Sequence, residues 1–436
     1  MRHHWFRVAA TCWVLGLTGV TAACGGSSSG GSATASSGGG KTAKIQFMYV
    51  SNNSVWAPVL SSLTKKFAAQ APGSGLSTQP IAQQNLNQII QLKASQGALP
   101  LLYNTPANDL LQQLAKGGQV LDVQQELDKL GVGSELLPGP AQVIKEVFGG
   151  KVNALPLEFN IEGFWFNKKI FAAHGLTPPS TWPELVADAA KLQAVGVQPL
   201  AASGIQGWPI TRLIGNYIFS SLGADAMQKV ANGQAKLTDP QYVAAAKAVA
   251  DLGAKGYFGK GVASLDFAPA ESLFLTGKAA MFYMGSFAIP DFLNQTNDKI
   301  GLSNIGFFAF PSVPGGAGPT PLIVEEAGQP TSVNPKELTG ADAQWLKFVA
   351  QNYGDEALSL KGQVSGFVVH NPPKSLPAQT QLTMHLIKTT KTPVLWFEAL
   401  FGAKATTISQ KDAAPLVTGQ MSPQQFMSNV QAALSS

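Results

Sequence analysis

The sequence predicts an α/β protein built from two domains. Short apolar, β-prone segments alternate along the chain with amphipathic segments of about 10–15 residues, an order typical of parallel sheets flanked by helices. The chain has 436 residues, which is more than a single hydrophobic core ordinarily holds, so two cores are expected. In such folds, ligands bind at the loops that leave the carboxyl ends of the strands.

Residues 1–23 have the pattern of a secretory signal peptide and are excluded from the fold. Arg2 and Arg7 come first, residues 8–20 are almost wholly apolar or small, and Thr21-Ala22-Ala23 lead to Cys24. The apolar run is shorter than the roughly 20 residues that span a bilayer. We therefore expect cleavage and export rather than a membrane-spanning helix.

A cysteine directly after such an exit resembles the bacterial lipoprotein signal, which implies that Cys24 carries lipid. Thr21 stands where that signal usually has Leu, and a plain secreted chain is the alternative. Residues 24–40 are dominated by Gly and Ser and predict a flexible tether. We expect a protein held on the extracytoplasmic side of the cell membrane by its lipid anchor alone.

Charge and cysteine content exclude several classes of function. Cys12 lies inside the signal, so Cys24 is the only cysteine expected in the mature chain and no disulfide can form within it. Arg212 is the only arginine after the signal, and Lys and Arg form no cluster. Nucleic-acid binding is therefore not expected, because it needs a basic surface. Anionic ligands are disfavoured for the same reason.

The first third of the chain repeats the order strand, polar loop, helix. Polar residues follow the predicted strands: Asn52 and Asn53 after the first, and Asn104 after the second. They are candidate ligand contacts, or turn residues. The predicted strands are 44–50 and 100–103, and the predicted helices are 56–70, 85–95 and 109–116.

Residues 154–166 alternate polar and apolar side chains, which favours a strand. The alternation places Glu158 and Asn160 on one face, either toward a ligand or toward solvent. A short helix ending at His174 and a helix over 183–194 follow, with Ser180 or Thr181 as the N-cap of the second.

Three motifs then resemble family 1 extracellular solute-binding proteins. The first is FWFNKK (164–169) followed by Phe171, GL (175–176), PP (178–179), TW (181–182) and Glu184; the others are FLTGKAAMFYMGSF (274–287), read as a helix and loop, and IGFFAFP (305–311), read as a return strand. They occur in the family's order and spacing, and the resemblance covers nearly the whole chain after the tether.

The resemblance implies a two-lobed periplasmic-binding-protein-like fold, in which two α/β domains are joined by crossing strands and a ligand lies in the cleft between them. Crossings are expected near residues 155–159, 307–311 and 324–331. The first lobe would then hold residues 41–155 and 306–328, and the second would hold 156–305 and 329–436. A monomer is expected.

The same resemblance implies a receptor for an ABC importer that captures a small polar solute, most simply a mono- or oligosaccharide. Sugar sites pair aromatic faces with amide and carboxyl groups. Trp208, Phe287 and Trp396 match aromatic positions of the family's cleft, with packing inside a core as the alternative for each. Trp182 and Trp345 match helix-packing positions and are expected in the core.

An acidic pair stands where the family usually has a Gly-Gly turn. Glu325 and Glu326 would point to opposite sides of a strand, so only one of them is expected to face the cleft, and Glu326 is the candidate. Arg212 lies four residues after Trp208, one helical turn away, and would reach a ligand hydroxyl or carboxylate or form an exposed ion pair.

The residues give little support to an enzyme. The chain has no G-x-S-x-G elbow between a strand and a helix, no H-E-x-x-H motif and no Gly-rich phosphate loop opening a helix. His174, His370 and His385 are isolated from other ligands, so no metal or cofactor is expected. Two alternatives stay open: a receptor for a non-sugar solute such as a peptide, polyamine or glycerol phosphodiester, and an anchored glycoside hydrolase using Glu158 with Glu325 or Glu326.

Overall fold

The structure, a computed structural model, describes residues 42–51, 53, 55–106 and 108–434. Cys24 and Asn52 lie outside the described residues, as do the signal and the tether, so the expectations for them stay predictions. No helix in the described part of the chain is long and apolar enough to cross a membrane.

The described residues form nine strands and sixteen α-helices. The strands are β1 (Lys44–Val50), β2 (Gly75–Ile81), β3 (Leu102–Asn104), β4 (Asn160–Asn167), β5 (Gln198–Ala201), β6 (Ala279–Gly285), β7 (Ile305–Phe308), β8 (Val324–Glu326) and β9 (Thr331–Val333). The helices are α1 (Trp56–Phe67), α2 (Leu86–Ser95), α3 (Asn108–Lys116), α4 (Val123–Lys129), α5 (Pro138–Val147), α6 (Lys168–Ala173), α7 (Trp182–Ala194), α8 (Trp208–Leu222), α9 (Ala226–Ala231), α10 (Pro240–Ala254), α11 (Phe267–Leu275), α12 (Ile289–Phe292), α13 (Gly340–Lys361), α14 (Ala378–Thr389), α15 (Ala403–Val417) and α16 (Pro423–Leu434).

Two sheets organise two lobes, which confirms the predicted fold class. The first sheet has the order β2-β1-β3-β9, with β1 parallel to β2 and β3 and with β9 antiparallel to β3. The second has the order β5-β6-β4-β7, with β8 also pairing with β4. All pairs made by β4 are antiparallel, so the second sheet is mixed rather than parallel as the alternation suggested.

Local chemistry explains where several elements begin. Thr181 accepts a hydrogen bond from the backbone of Glu184, whose carboxylate accepts one in return from the Thr181 backbone, and this capping box starts α7. Asn167 caps α6 by accepting from the backbone amides of Lys169 and Ile170. The motif over 274–287, expected to be a helix and loop, contains the buried strand β6 as well.

The predicted lobe boundaries are wrong in two places. Strand β7 pairs with β4 in the second sheet, and Phe310 and Leu322 belong to the second lobe's core, so residues 306–326 are not part of the first lobe. Strand β9 pairs with β3, and Trp345 and Tyr353 of α13 are buried in the first lobe's core. The apolar face of α13 covers α1, a long-range contact that spacing along the chain did not indicate.

The lobes are joined by two of the expected crossings and by a later one. Leu155 bridges to Thr331 of the first sheet and the chain then enters β4, while residues 327–330 connect β8 to β9. The crossing expected near 307–311 is absent from this region, because those residues stay in the second lobe. Residues 362–377 return the chain from α13 to α14, and Phe159 donates its backbone N–H to Val364 beside the first crossing.

Candidate ligand-binding cleft

A cavity of about 260 Å³ lies between the lobes. Trp56 and Phe148 line it from the first lobe, and Trp208, Phe287 and Arg212 line it from the second. The crossing segments contribute Glu158, Glu326, Gly328 and Gln329 to the lining. Aromatic, carboxyl and amide groups from both lobes therefore line one cleft.

One wall of the cavity is aromatic and lies on the second lobe. Trp208 is the first residue of α8, where Gly207 reaches a φ of 70° that favours glycine. Its ring stacks on Phe267 with centroids 5.9 Å apart and meets Phe287 edge-on at 6.1 Å. The indole N–H donates to Gln206 Oε1 at 2.9 Å, which fixes the ring plane. Trp208 is buried as well as cavity-lining, so it serves the core and the wall together.

Trp396 occupies the boundary between the lobes. It is half-buried, packs against the cores of both lobes and lines the cavity. The guanidinium carbon of Arg212 lies 5.5 Å from the centroid of this ring and 5.6 Å from that of Trp208. These are cation–π distances. The two tryptophans expected in the cleft are thus brought together by a single arginine between them.

Arg212 is committed to two buried carboxylates. Its Nε donates to Glu162 Oε1 at 2.9 Å and its Nη1 donates to Glu398 Oε2 at 2.7 Å. Tyr283 donates its hydroxyl to the other oxygen of Glu162 at 3.1 Å. The predicted alternative of an exposed ion pair is wrong, because both carboxylates are buried and the Arg212 side chain is only 11% exposed. Arg212 therefore lines the cavity and also holds Glu162 and Glu398 in place beside it.

Glu398 connects the first turn of α8 to the segment that follows Trp396. Thr211 donates its hydroxyl to Glu398 Oε1, and Ser409 donates to the same oxygen at 3.2 Å. Burial raises the pKa of Glu398, while Arg212 and these hydroxyl donors oppose the rise. Glu398 was not predicted as a site residue. A single Glu in an apolar run does not indicate that it pairs with Arg212, which lies far away along the chain.

Two further carboxyl groups line the hinge side of the cavity. Glu326 ends β8 opposite Asn160 of β4, and Glu158 lies two residues before Asn160. Burial raises the pKa of Glu158 to about 7, and burial together with Glu162 and Glu158 raises the pKa of Glu326 to about 8. Glu325 does not line the cavity, which agrees with the expected alternation along the strand.

Gly328 is required beside these carboxyl groups. Its φ is 59°, and a Cβ placed on it would lie 1.7 Å from Glu158 Oε1. A side chain at this position would therefore displace the Glu158 carboxyl from the cavity wall. Gly328 follows the acidic pair by two residues, close to the position where the family usually has a Gly-Gly turn.

Two of the predicted contacts lie behind the cavity rather than in it. Asn104 is completely buried; its Oδ1 accepts from the Val50 backbone at 2.8 Å and its Nδ2 donates to Thr331 Oγ1 at 3.2 Å. Asn160 Oδ1 accepts from Ser286 Oγ at 3.0 Å and from Gln363 Nε2 at 2.9 Å. Neither residue lines the cavity, because both amides join strands and crossing segments.

Asn53 combines a structural and a cavity-lining position. Its Oδ1 accepts from the backbone amides of Val55 and Trp56 at the start of α1, and its Nδ2 lies 3.5 Å from Glu158 Oε2. Trp56 was expected only as the first residue of a helix, yet it lines the cavity from the first lobe. Phe267, the first residue of α11, also lines the cavity and was not predicted to do so, since an aromatic residue at the start of a helix does not by itself indicate a ligand contact.

The two tryptophans expected in the core are there. Trp345 is buried in α13 and donates its indole N–H to Thr64 Oγ1 at 2.9 Å. Trp182 stacks on Phe310 with ring centroids 5.4 Å apart, in the second lobe and away from the cavity.

A hydrogen bond joins the lobes on the side of the cavity where α3 meets α15. Asp109 of α3 accepts from the backbone amide of Ala403, the first residue of α15, at 3.1 Å. This carboxylate therefore caps a helix of the opposite lobe, where the helix dipole favours negative charge.

A family model described as bacterial extracellular solute-binding protein matches residues 53–356, more than half of the chain. The chain belongs to this family. Among solved structures, the solute-binding protein is similar to a chitin oligosaccharide binding protein at 25% identity, with a TM-score of 0.80 and with 91% of this chain and 100% of that one covered. A raffinose complex of the binding protein RafE gives a TM-score of 0.70 at 19% identity, covering 90% of this chain and 99% of that chain.

Curated relatives agree with the family assignment over shorter spans. The solute-binding protein is 26% identical over 245 residues to an uncharacterized ABC transporter extracellular-binding protein of Pyrococcus horikoshii, which covers 54% of each chain. It is 25% identical over 329 residues to the multiple sugar-binding protein of Streptococcus mutans, covering 72% of each chain. The chain therefore spans about half of the length of the first of these relatives.

Proposed function

We propose that this protein is the solute receptor of an ABC importer and that it captures an oligosaccharide between its lobes. The observation that carries the proposal is the composition of the cavity, which is lined by the rings of Trp208, Trp396 and Phe287 together with the carboxyl groups of Glu158 and Glu326. Aromatic faces cover the apolar faces of sugar rings, and carboxyl and amide groups bind hydroxyls.

The names of related proteins support a carbohydrate ligand. A structural neighbour binds chitin oligosaccharide, another was solved with raffinose, and a curated relative is a multiple sugar-binding protein. The cavity also takes its lining from both lobes. A ligand that touches both lobes binds the closed arrangement more tightly than an open one and shifts the population toward it.

Delivery to a permease follows from the same proposal. The receptor acts as a monomer, is not an enzyme, and stays on the extracytoplasmic side of the membrane through a lipid on Cys24. The tether over residues 24–40 lets the lobes diffuse to the permease subunits. Neither a cofactor nor a metal is part of this mechanism, because capture needs only closure about the solute.

Titration calorimetry with chitin oligosaccharides, raffinose and stachyose tests the proposal. Wild type is expected to bind at least one of them. Trp396→Ala should then weaken binding about tenfold, because losing some tens of Å² of sugar–indole contact at about 25 cal/mol/Å² removes roughly 1–2 kcal/mol.

Trp182→Ala is the matched control, since this indole packs in the second lobe away from the cavity. It should lower the melting temperature and leave the affinity per folded molecule unchanged. Binding of peptides or polyamines with no binding of any saccharide would refute the carbohydrate proposal. Turnover of a bound saccharide would refute the receptor proposal.

A further inference from the structure

The cavity contains more carboxyl groups than its cations can neutralise. Four acidic residues line it: Glu158, Asp291, Glu326 and Glu398. Among the described lining residues Arg212 is the only cation, and it is already paired with Glu398 and with Glu162 behind the wall. The acidic groups on the hinge side, Glu158 and Glu326, therefore have no cation of their own in the lining.

An atom of one of these groups also lacks a partner. Glu326 is only 4% exposed, and its Oε1 makes no hydrogen bond within the described part of the chain. A buried carboxyl oxygen without a donor is costly, and a donor supplied by a ligand removes that cost. The position calls for a group that donates hydrogen bonds and carries positive charge.

Carboxyl groups close to Glu326 also favour a cation at this place. Burial raises the pKa of Glu326 most, Glu162 and Glu158 raise it further, and Arg212 and a hydrogen bond with Asn160 oppose the rise. Glu158 is itself buried at the same wall, with its pKa raised by burial. An ammonium group placed between Glu158 and Glu326 would stabilise the ionised form of both and supply three donors at once.

We propose that the cleft is built for an amino sugar with a free, protonated amine, and that this ammonium lies between Glu158 and Glu326. The inference rests on the proposed function and narrows it to saccharides that carry a cationic amine. The aromatic rings of the second lobe hold the sugar face, while the hinge-side carboxyl groups select the charge. An N-acetylated sugar of the same length offers one neutral N–H at that place instead of three charged donors.

The test compares glucosamine oligosaccharides with N-acetylglucosamine oligosaccharides of equal length by calorimetry near neutral pH, because under acidic conditions Glu158 and Glu326 of the free protein hold their protons and carry no charge for the amine to meet. Wild type is expected to bind the amine form at least tenfold more tightly. Glu326→Gln keeps the shape of the side chain and removes its charge, so the preference should fall severalfold or disappear.

Glu325→Gln is the matched control, because it removes a buried carboxyl one residue away that does not line the cavity. It should keep the preference of wild type. Equal or tighter binding of the acetylated oligosaccharide by wild type would overturn the inference and leave the receptor function standing. Failure of wild type to bind any saccharide would overturn both. The wild-type comparison decides the question even if Glu326→Gln does not fold.

Discussion

Replacing Glu158 by Gln is expected to make the stability of the protein less sensitive to pH. The carboxyl has a pKa of about 7 in the folded protein against 4.5 for an ordinary glutamate, because it is buried. The folded state therefore holds this proton more tightly than the unfolded state. Such a group stabilises the fold below the unfolded pKa, and that stabilisation is lost as the pH rises through the folded pKa.

The size of the effect follows from the two pKa values. Between about pH 5 and pH 8, the wild type loses roughly 2–3 kcal/mol of unfolding free energy as the folded protein releases the Glu158 proton. Gln has no proton to lose. The variant should therefore gain about this amount on the wild type as the pH is raised over that interval.

Urea unfolding of both proteins without ligand, at several pH values across that interval, measures the difference. Glu337→Gln, on an exposed residue of the loop that precedes α13, reports the effect of removing a surface carboxyl. A wild-type-minus-variant difference that stays constant with pH, or that changes in favour of the wild type at high pH, would refute the reasoning about burial of Glu158.

Two further outcomes are expected. Asp109→Ala removes the cap that the first lobe supplies to α15. Affinity for the saccharide should therefore fall up to about fivefold, which corresponds to a loss of about 1 kcal/mol. An unchanged affinity would show that this contact does not distinguish the liganded state. Cys24→Ala should move the protein from the membrane to the soluble fraction of cells, and a variant that stays in the membrane fraction would contradict the lipid anchor.

The sequence predicted much of the local structure, because local structure depends on neighbouring residues. A short apolar, β-prone run located β1, helical spacing located α1, and an N-cap at Ser180 or Thr181 located the start of α7. The tryptophans at 182 and 345 were assigned correctly to the core. Each of these expectations uses information carried within about one or two turns of chain.

The candidate site was predicted only in part, because a side chain's role depends on what faces it. Asn104 was expected just after a strand and Asn160 inside one, but Asn104 ends β3 and Asn160 begins β4, and their amides join strands and crossing segments. Trp208 and Trp396 do line the cavity, where Arg212 lies between their rings.

The sequence alone determined the fold class, the alternation that separates Glu326 from Glu325, and the motifs of the solute-binding family. Only the tertiary structure decided which lobe each late segment joins, and that Glu162, Glu326 and Glu398 gather around one arginine with Glu158 beside Glu326. These residues are up to 240 positions apart along the chain. Their proximity arises from the packing of the two lobes and their crossing segments, which no local pattern records.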